Sequence, residues 1–325
     1  MRQRFAMLVC LLAAAMVGPC GDAQSGEAPE IGSVPDPGLR SGVADKDKRA
    51  KSRLNPPDPF LETITIVEFK PIELPLKAGA TDESAERLEY DININRLPAG
   101  KAVLELRKQE KYKDAIPVPV WSAKLNTRSN RALTLMYDVR DEARSVFDAK
   151  GGFSRFFYMD RKEGDAKVSE KITFNYIGAM SAAYERPKTG LDGQIKWISS
   201  TIPLTTKALD PLGAIYVLRS PGLKLENIQP AKSKPAIVLP ICSDRHVWNT
   251  NLYAVGIDHP DAGNLKNRAC VVFEVDAPYR GLFEHIGKPR IWVDIKTGVI
   301  LKMTAETPIG PAEATLSEFK NSPLN

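Results

Sequence analysis

The side chains with the clearest chemical potential lie between positions 242 and 270: Cys242, His246, His259 and Cys270. In an exported protein, two cysteines favour a disulfide, provided that their Cα atoms lie within about 7 Å of each other. In the chain-entropy account, closing a loop of 27 intervening residues stabilises a protein by about 3–4 kcal/mol. We therefore predict a disulfide between Cys242 and Cys270, with two buried free thiols as the alternative.

The histidines suggest no catalytic centre. His246 and His259 could join the two cysteines around zinc, but the stretch lacks the paired C-x-x-C spacing of a structural zinc site. Asp258 precedes His259, yet no G-x-S-x-G elbow supplies the nucleophile of a triad. His285 lies beside an acidic residue, and no other feature distinguishes it. We predict no catalytic residue, no metal and no other cofactor.

The carboxylates and glycines offer no sharper motif. Asp and Glu number 40, but one sequence cannot pair two of them across strands as a glycosidase requires. Gly151 and Gly152 lie between predicted strands, without the helix and lysine of a phosphate-binding loop. The formal charge of +5 is thinly spread, unlike the clustered basic surface of a nucleic-acid binder. We predict no nucleic-acid partner.

The first 23 residues have the features of an export signal. Arginines precede an apolar run at residues 5–18, which is shorter than the about 20 residues that a membrane-spanning helix needs. Ala23 ends a small-residue pattern that favours cleavage after it. Lipidation of Cys20 is the alternative, although Pro19 fits a lipobox poorly. We therefore predict a periplasmic or extracellular protein.

Two further regions follow the predicted signal. Residues 24–60 are rich in proline, charged and small residues, so little there can be buried to offset the entropy of ordering. We predict a disordered linker over 24–60 and a single β domain over 61–325. Nowhere in the β domain do 18 apolar residues run uninterrupted, so we predict no transmembrane span after signal cleavage.

Alternation of apolar and polar residues dominates the chain after residue 61. In RLEYDININ, the apolar residues occupy every second position, as they do in a half-buried strand. Residues 96–100 predict a tight connection to KAVLELRK, so the pair is interpreted as a hairpin. Further strands are predicted in VPVWSAKLN, RALTLMYDV, ARSVFD, FSRFFYMDRK, KVSEKITFNY, AMSAAYER, HVWNTNLYAVGI, ACVVFEVDA, RIWVDIKTGVILKMTAE and AEATLSEF.

One segment has helical spacing instead. In LDPLGAIYVLRSPG, residues 209–222, Asp210 is placed to cap a helix and Pro211 to occupy its first turn. Arg219 near the end suits the helix macrodipole. The predicted fold is therefore mainly β: an antiparallel curved sheet, or an open or half barrel, with one short helix packed against it.

Three blocks of the β domain resemble a known family. LEYDININRLPAGKAVLEL, LDPLGAIYVLR and RIWVDIKTGVILKMTAETPIGPAEATL resemble, in this order, parts of an exported bacterial family, domain-of-unknown-function family 3108. The resemblance covers residues 86–319; one departure is Ala85 where the family has glycine. It implies an envelope location and a β fold, and carries no catalytic residue. The matching positions are Tyr90, Gly100, Asp210, Tyr216, Arg219, Trp292, Asp294 and Gly310.

Several strands are apolar on both faces, so both faces need cover from a helix, a second sheet or an apolar ligand. With the leader and the resemblance, this pattern favours a non-enzymatic binding or scaffold module for a lipid-like or other envelope component. The alternative is a hydrolase acting on cell-wall or surface glycan, which would require carboxylates gathered in one cleft. A purely structural partner module, marked by an exposed sheet edge or apolar patch, is the third hypothesis.

Overall fold

The computed structural model describes residues 64–65, 86–109, 118–134, 138–164, 166–189, 194–220, 223–231, 233–243, 245–276, 288–307 and 310–321. The predicted leader and linker lie outside the described residues, and so does His285. Within these ranges, no helix combines the length and the apolar composition needed to cross a membrane.

The described residues form fifteen strands and three short helical segments. The strands are β1 (Ile64–Thr65), β2 (Glu86–Ile94), β3 (Leu97–Gln109), β4 (Val120–Ser129), β5 (Val139–Asp148), β6 (Ser154–Glu163), β7 (Ala166–Asn175), β8 (Ser181–Thr189), β9 (Ile195–Pro203), β10 (Ile237–Ser243), β11 (His246–Asp258), β12 (Cys270–Asp276), β13 (Arg290–Asp294), β14 (Ile300–Thr307) and β15 (Gly310–Asn321). The helices are α1 (Arg131–Thr134) and α2 (Pro211–Val217), with a 3₁₀ turn at Leu225–Asn227.

All fifteen strands belong to one sheet, in the order β1-β10-β11-β12-β13-β14-β15-β2-β3-β4-β5-β6-β7-β8-β9. Fourteen strands follow one another antiparallel, and the two-residue β1 adds parallel to β10. The pairing of β15 with β2 joins the two ends of the described chain within the sheet. The sheet is not closed, because β9 at one end pairs only with β8. The predicted mainly β, antiparallel open architecture is confirmed.

The first hairpin forms where alternation predicts it, but its turn is shorter. Asn95 and Arg96 alone make the turn, with φ of 49° and 67°, the positive values of the type I′ turns that suit the twist of two strands. The predicted connection at 96–100 is therefore wrong in length, since β3 begins at Leu97. A register shift after Ile92, which faces Gly100 while its neighbour faces Pro98, accommodates an extra residue.

Other elements differ from expectation. RALTLMYDV, predicted as a strand, begins with helix α1, which Asn130 caps by accepting a hydrogen bond from the Leu133 N–H at 2.8 Å. Strands β9 and β10 have no counterpart in the sequence prediction. β9 is exposed at nearly every position, so its sequence lacks the alternation of buried apolar and exposed polar residues that identifies a strand.

Helix α2 fills the concave side of the sheet. Every one of its seven residues is buried, and it packs against β4, β5 and β10. The strands direct their alternate apolar residues at it, as in β2, where buried and half-buried positions alternate throughout. The predicted helix thus exists, and it occupies the centre of the core.

Candidate functional site

The N-terminus of α2 is fixed by the buried carboxylate of Asp210. Its Oδ1 accepts hydrogen bonds from the backbone N–H groups of Leu212 and Gly213, at 2.9 and 3.0 Å. Its Oδ2 accepts from the hydroxyls of Ser145 and Ser154, at 2.6 and 2.5 Å. Burial raises the pKa of Asp210, and these four donors oppose the rise. The carboxylate is fully engaged as a helix cap, which confirms its predicted role.

The other end of the helix is tied to the sheet by a buried ion pair. Arg219 Nη1 donates to both carboxylate oxygens of Glu86, at 2.5 and 2.6 Å, and the side chains are 4% and 3% exposed. Arg219 Nε also donates to the Thr297 carbonyl oxygen at 3.3 Å. Arg219 therefore reaches β2 and the β13–β14 turn. Its main contact is with Glu86.

Two tyrosines pack beside this ion pair. Tyr90 donates its hydroxyl to the Ile300 carbonyl oxygen at 2.9 Å. Tyr216 stacks on Phe147 with ring centroids 5.5 Å apart, and its hydroxyl has no hydrogen-bond partner among the described residues. Burial raises the pKa of both tyrosines, so neither is suited to lose a proton.

The two family-like glycines lie where backbones approach closely. A Cβ on Gly100 would lie 2.3 Å from the Arg128 carbonyl oxygen of β4. Gly310 has a φ of +118°, and a Cβ there would lie 1.9 Å from Asn95 Oδ1 in the β2–β3 turn. Both positions require glycine for packing.

Trp292 and Asp294 hold β13 and the turn after it. Trp292 Nε1 donates to Asp258 Oδ2 at 2.8 Å, and this contact, together with the His259 N–H, lowers the pKa of Asp258. Asp294 Oδ2 accepts from the Thr297 hydroxyl at 2.5 Å, within the turn. Asp258 thus accepts hydrogen bonds from the Trp292 indole and from the His259 backbone N–H, and it forms no triad with His259.

The predicted disulfide is wrong. Cys242 on β10 faces Val247 of β11, and Cys270 on β12 faces Asp258 of β11. Val247 and Asp258 are eleven residues apart along one strand, so the cysteines are separated by about 35 Å. A disulfide requires Cα atoms within about 7 Å. Both thiols are free and buried, and burial raises the pKa of each to about 12.

The same separation rules out a shared zinc site for the two cysteines with His246 and His259. His246 lies at the Cys242 end of β11, where its ring is 5.1 Å from that of Trp248. His259 follows the other end of that strand, beside Cys270. Across the described part of the chain, no group of three His, Cys, Asp or Glu side chains could hold a metal ion.

A groove of about 740 Å³ lies where the β2–β3 and β14–β15 turns approach the start of β13. Three of its charged groups pair with one another, since Lys288 and Arg290 contact Glu274, at 3.7 and 3.5 Å. A ligand at this end of the groove would have to displace these contacts. The lining residues are Asn93, Arg96, Glu274, Lys288, Arg290, Thr304, Ala305, Glu306, Pro311, Ala312 and Glu313.

The β8–β9 hairpin stops pairing with β7 before β8 ends. β8 pairs with β7 only as far as Glu185, whereas it pairs with β9 to its last residue. Pro187 lies in the part that does not pair with β7, and it has no N–H to offer to another strand. Residues 186–189 and 195–198 therefore pair with each other but not with β7, and we call them the β8–β9 ribbon.

The β8–β9 ribbon combines exposed apolar and basic side chains. Ile195, Trp197 and Ile198 are 67%, 50% and 40% exposed. Lys188 and Lys196, also exposed, lie directly opposite each other across the two strands. Among the described strands, the outer edge of β9 has no neighbour. Exposed apolar residues on an open edge mark an interaction site more often than isolated ones do.

A family model described as "Protein of unknown function (DUF3108)" matches residues 89–317. The chain belongs to this family. The DUF3108 region runs from within β2 to within β15, so it contains α2 and the β8–β9 ribbon. The comparison with curated proteins gave no match. Among solved structures, a beta-barrel-like protein of domain of unknown function DUF1849 from Brucella abortus is similar, with 13% identity and a TM-score of 0.45. The similarity covers 74% of this chain and 99% of that one.

In this DUF3108 protein, the positions that carry the family resemblance build the fold, and the candidate contact residues lie elsewhere. Sequence reasoning missed Trp197, Lys188 and Lys196, because β9 has no alternating pattern to identify it as a strand. The signal that could have found them is local. A tryptophan lies between lysine and isoleucine in IKWIS, where no apolar face accounts for it.

Proposed function

We propose that this protein is an exported, non-enzymatic binding module that contacts an apolar or amphipathic envelope component through the β8–β9 ribbon. Residues 1–23 would direct export, and residues 24–60 would link the domain to its N-terminus. The observation that carries the proposal is the exposure of Ile195, Trp197 and Ile198 on one strand with an open edge. Burying such a surface against a partner is favourable by about 25 cal/mol per Å² of apolar area.

The interior is a poorer place for a ligand, because α2 occupies it. The helix is buried along its whole length and anchored at both ends, through Asp210 and through the pair of Arg219 with Glu86. Admitting an apolar ligand to the concave side would break one of these buried networks, which costs several kcal/mol. The apolar second faces that suggested a ligand cavity in the sequence are therefore better explained by packing.

Site-specific photo-crosslinking tests this proposal. A photoreactive amino acid replaces Trp197 in the full chain, and irradiation is carried out in the cells that make the protein. The matched control replaces Ile177, which is 78% exposed and lies in the β7–β8 turn, at the opposite end of β8. We expect an adduct with an envelope component from position 197 and none from position 177.

Equal labelling from both positions, or no adduct from position 197, would contradict the proposal. The thermal midpoint of each substituted protein is measured alongside. Because both side chains are at least half exposed, we expect neither substitution to change it by more than a few degrees.

A further inference from the structure

The two lysines of the β8–β9 ribbon form an opposed pair of like charges. Lys188 and Lys196 are cross-strand partners, so their side chains leave the ribbon on the same face. Like charges directly opposite one another destabilise a strand pair. Neither lysine forms an ion pair with a carboxylate among the described residues. Within the described part of the chain, this pair is therefore a local repulsion that an anionic partner would relieve.

The same sheet handles a second lysine pair differently. Lys162 and Lys167 are also cross-strand partners, on β6 and β7. Lys162 pairs with Asp138 at 3.0 Å, and Lys167 pairs with Asp160 at 3.7 Å. An opposed lysine pair in this fold can thus be neutralised from within. Among the residues that the structure describes, the ribbon pair is not neutralised in this way, and together with the exposed Trp197 this points to an anionic, amphipathic ligand.

The other face of the ribbon is apolar. Trp197 faces Pro187 across the strands, and Ile195 is two residues along on the same side. The lysines lie on the opposite face with Ile198. Because successive side chains of a strand point to opposite faces, one face of the ribbon carries Trp197 and Ile195, and the other carries the two lysines.

We infer that the β8–β9 ribbon docks on an anionic lipid surface; this inference rests on the proposed function. Tryptophan places an apolar ring with one polar N–H at the boundary between headgroups and acyl chains. An amphipathic element buries its apolar face about 5–10 Å into that boundary. Lysines on the other face then extend along their apolar stems to lipid phosphates. Each lysine near an anionic surface improves binding by about five-fold.

A protein strand added to the edge of β9 is the competing occupant. Such a strand would hydrogen-bond to the β9 backbone, which the open edge allows. It would leave both faces of the ribbon uncovered, so it accounts neither for the exposed Trp197 nor for the opposed lysines. A lipid surface accounts for both.

Vesicle flotation of the full chain tests the inference with two double variants. One is Lys188→Gln/Lys196→Gln, and the matched control is Lys162→Gln/Lys167→Gln, which removes the same charge from an opposed pair. The native protein is expected to float with phosphatidylglycerol vesicles and far less with phosphatidylcholine vesicles. The ribbon variant should lose about 25-fold in its partition coefficient for phosphatidylglycerol, and the control less than about two-fold. Added salt should weaken the native binding.

The apolar face is tested separately with Trp197→Ala, which should weaken binding to both kinds of vesicle. The inference is overturned if the ribbon double variant binds phosphatidylglycerol as well as the native protein does, or if the control variant loses as much. Capture of a protein from position 197, without vesicle binding, would overturn the lipid inference and leave the proposed function standing. If position 197 captures nothing, the proposed function itself fails.

Discussion

The two buried tyrosine hydroxyls affect the free energy of unfolding in opposite directions. Tyr90 donates a hydrogen bond to the Ile300 carbonyl, whereas the Tyr216 hydroxyl is buried without a partner in the described ranges. A made hydrogen bond contributes about 1 kcal/mol, and an unmet buried donor costs at least as much. We expect Tyr90→Phe to lower the free energy of unfolding by about 1 kcal/mol and Tyr216→Phe to raise it by up to about 1 kcal/mol. Urea unfolding measures both, and a loss of stability in Tyr216→Phe would contradict the packing described for α2.

The cysteines provide a second residue-scale prediction. With a pKa of about 12 for Cys242 and Cys270, about one thiol in ten thousand is ionised at pH 8. Because the thiolate is the reactive form and both side chains are buried, we expect neither to be alkylated in the native protein. Both should react once the chain is unfolded without reductant. Peptide-level mass spectrometry reads each site, and a peptide pair joined through sulfur would contradict the geometry.

At the scale of elements, the contact between the β2–β3 and β14–β15 hairpins depends on one glycine. Gly310→Ala would place a methyl group 1.9 Å from Asn95 Oδ1 and keep an unfavourable φ of +118°. We expect the free energy of unfolding to fall by about 1–3 kcal/mol. Gly256→Ala in β11 is the control, since nothing lies within 4 Å of its Cβ position, and it should change stability by less than about 1 kcal/mol. Similar losses in both variants would show that the hairpin contact is not the cause.

Local patterns in the sequence predict much of this architecture. The alternation in β2 predicts its buried face, and the Asp210-Pro211 pair predicts the start of α2. The elements that were missed lack such a pattern. β9 is exposed on both faces, and β10 is a nearly continuous apolar run with Pro240 inside it. The sequence RALTLMYDV alternates as a strand does, but its first four residues form a helix that Asn130 caps.

Contacts between distant parts of the chain could not be predicted in this way. The disulfide prediction depended on predicted export and on the presence of two cysteines, Cys242 and Cys270, and neither gives their distance across a sheet. The pair of Glu86 with Arg219 joins residues 133 positions apart, and nothing in the local sequence marks it. The candidate contact site was missed for a related reason, because the exposure of Trp197 depends on the place of β9 as the last of the described strands in the sheet.

At the scale of the whole molecule, the sheet packs around its own buried helix, so we expect the core to form without a ligand. We expect protein refolded from urea in lipid-free buffer to regain the thermal midpoint of protein purified directly. A ligand bound to the native state would raise that midpoint in a concentration-dependent way. A lower midpoint after lipid-free refolding, restored by adding envelope lipid, would contradict a core filled by α2.

Hydrogen exchange tests the central claim, that the protein meets its partner at the β8–β9 ribbon. The full chain is exchanged with and without the membrane fraction of the cells that produce it. We expect exchange of the backbone amides at 195–201 to slow when membranes are present, while the amides of β4, paired on both sides within the sheet, stay unchanged. Unchanged exchange in the ribbon, with slowing confined to the strands that line the groove at Arg290 and Glu313, would contradict the claim.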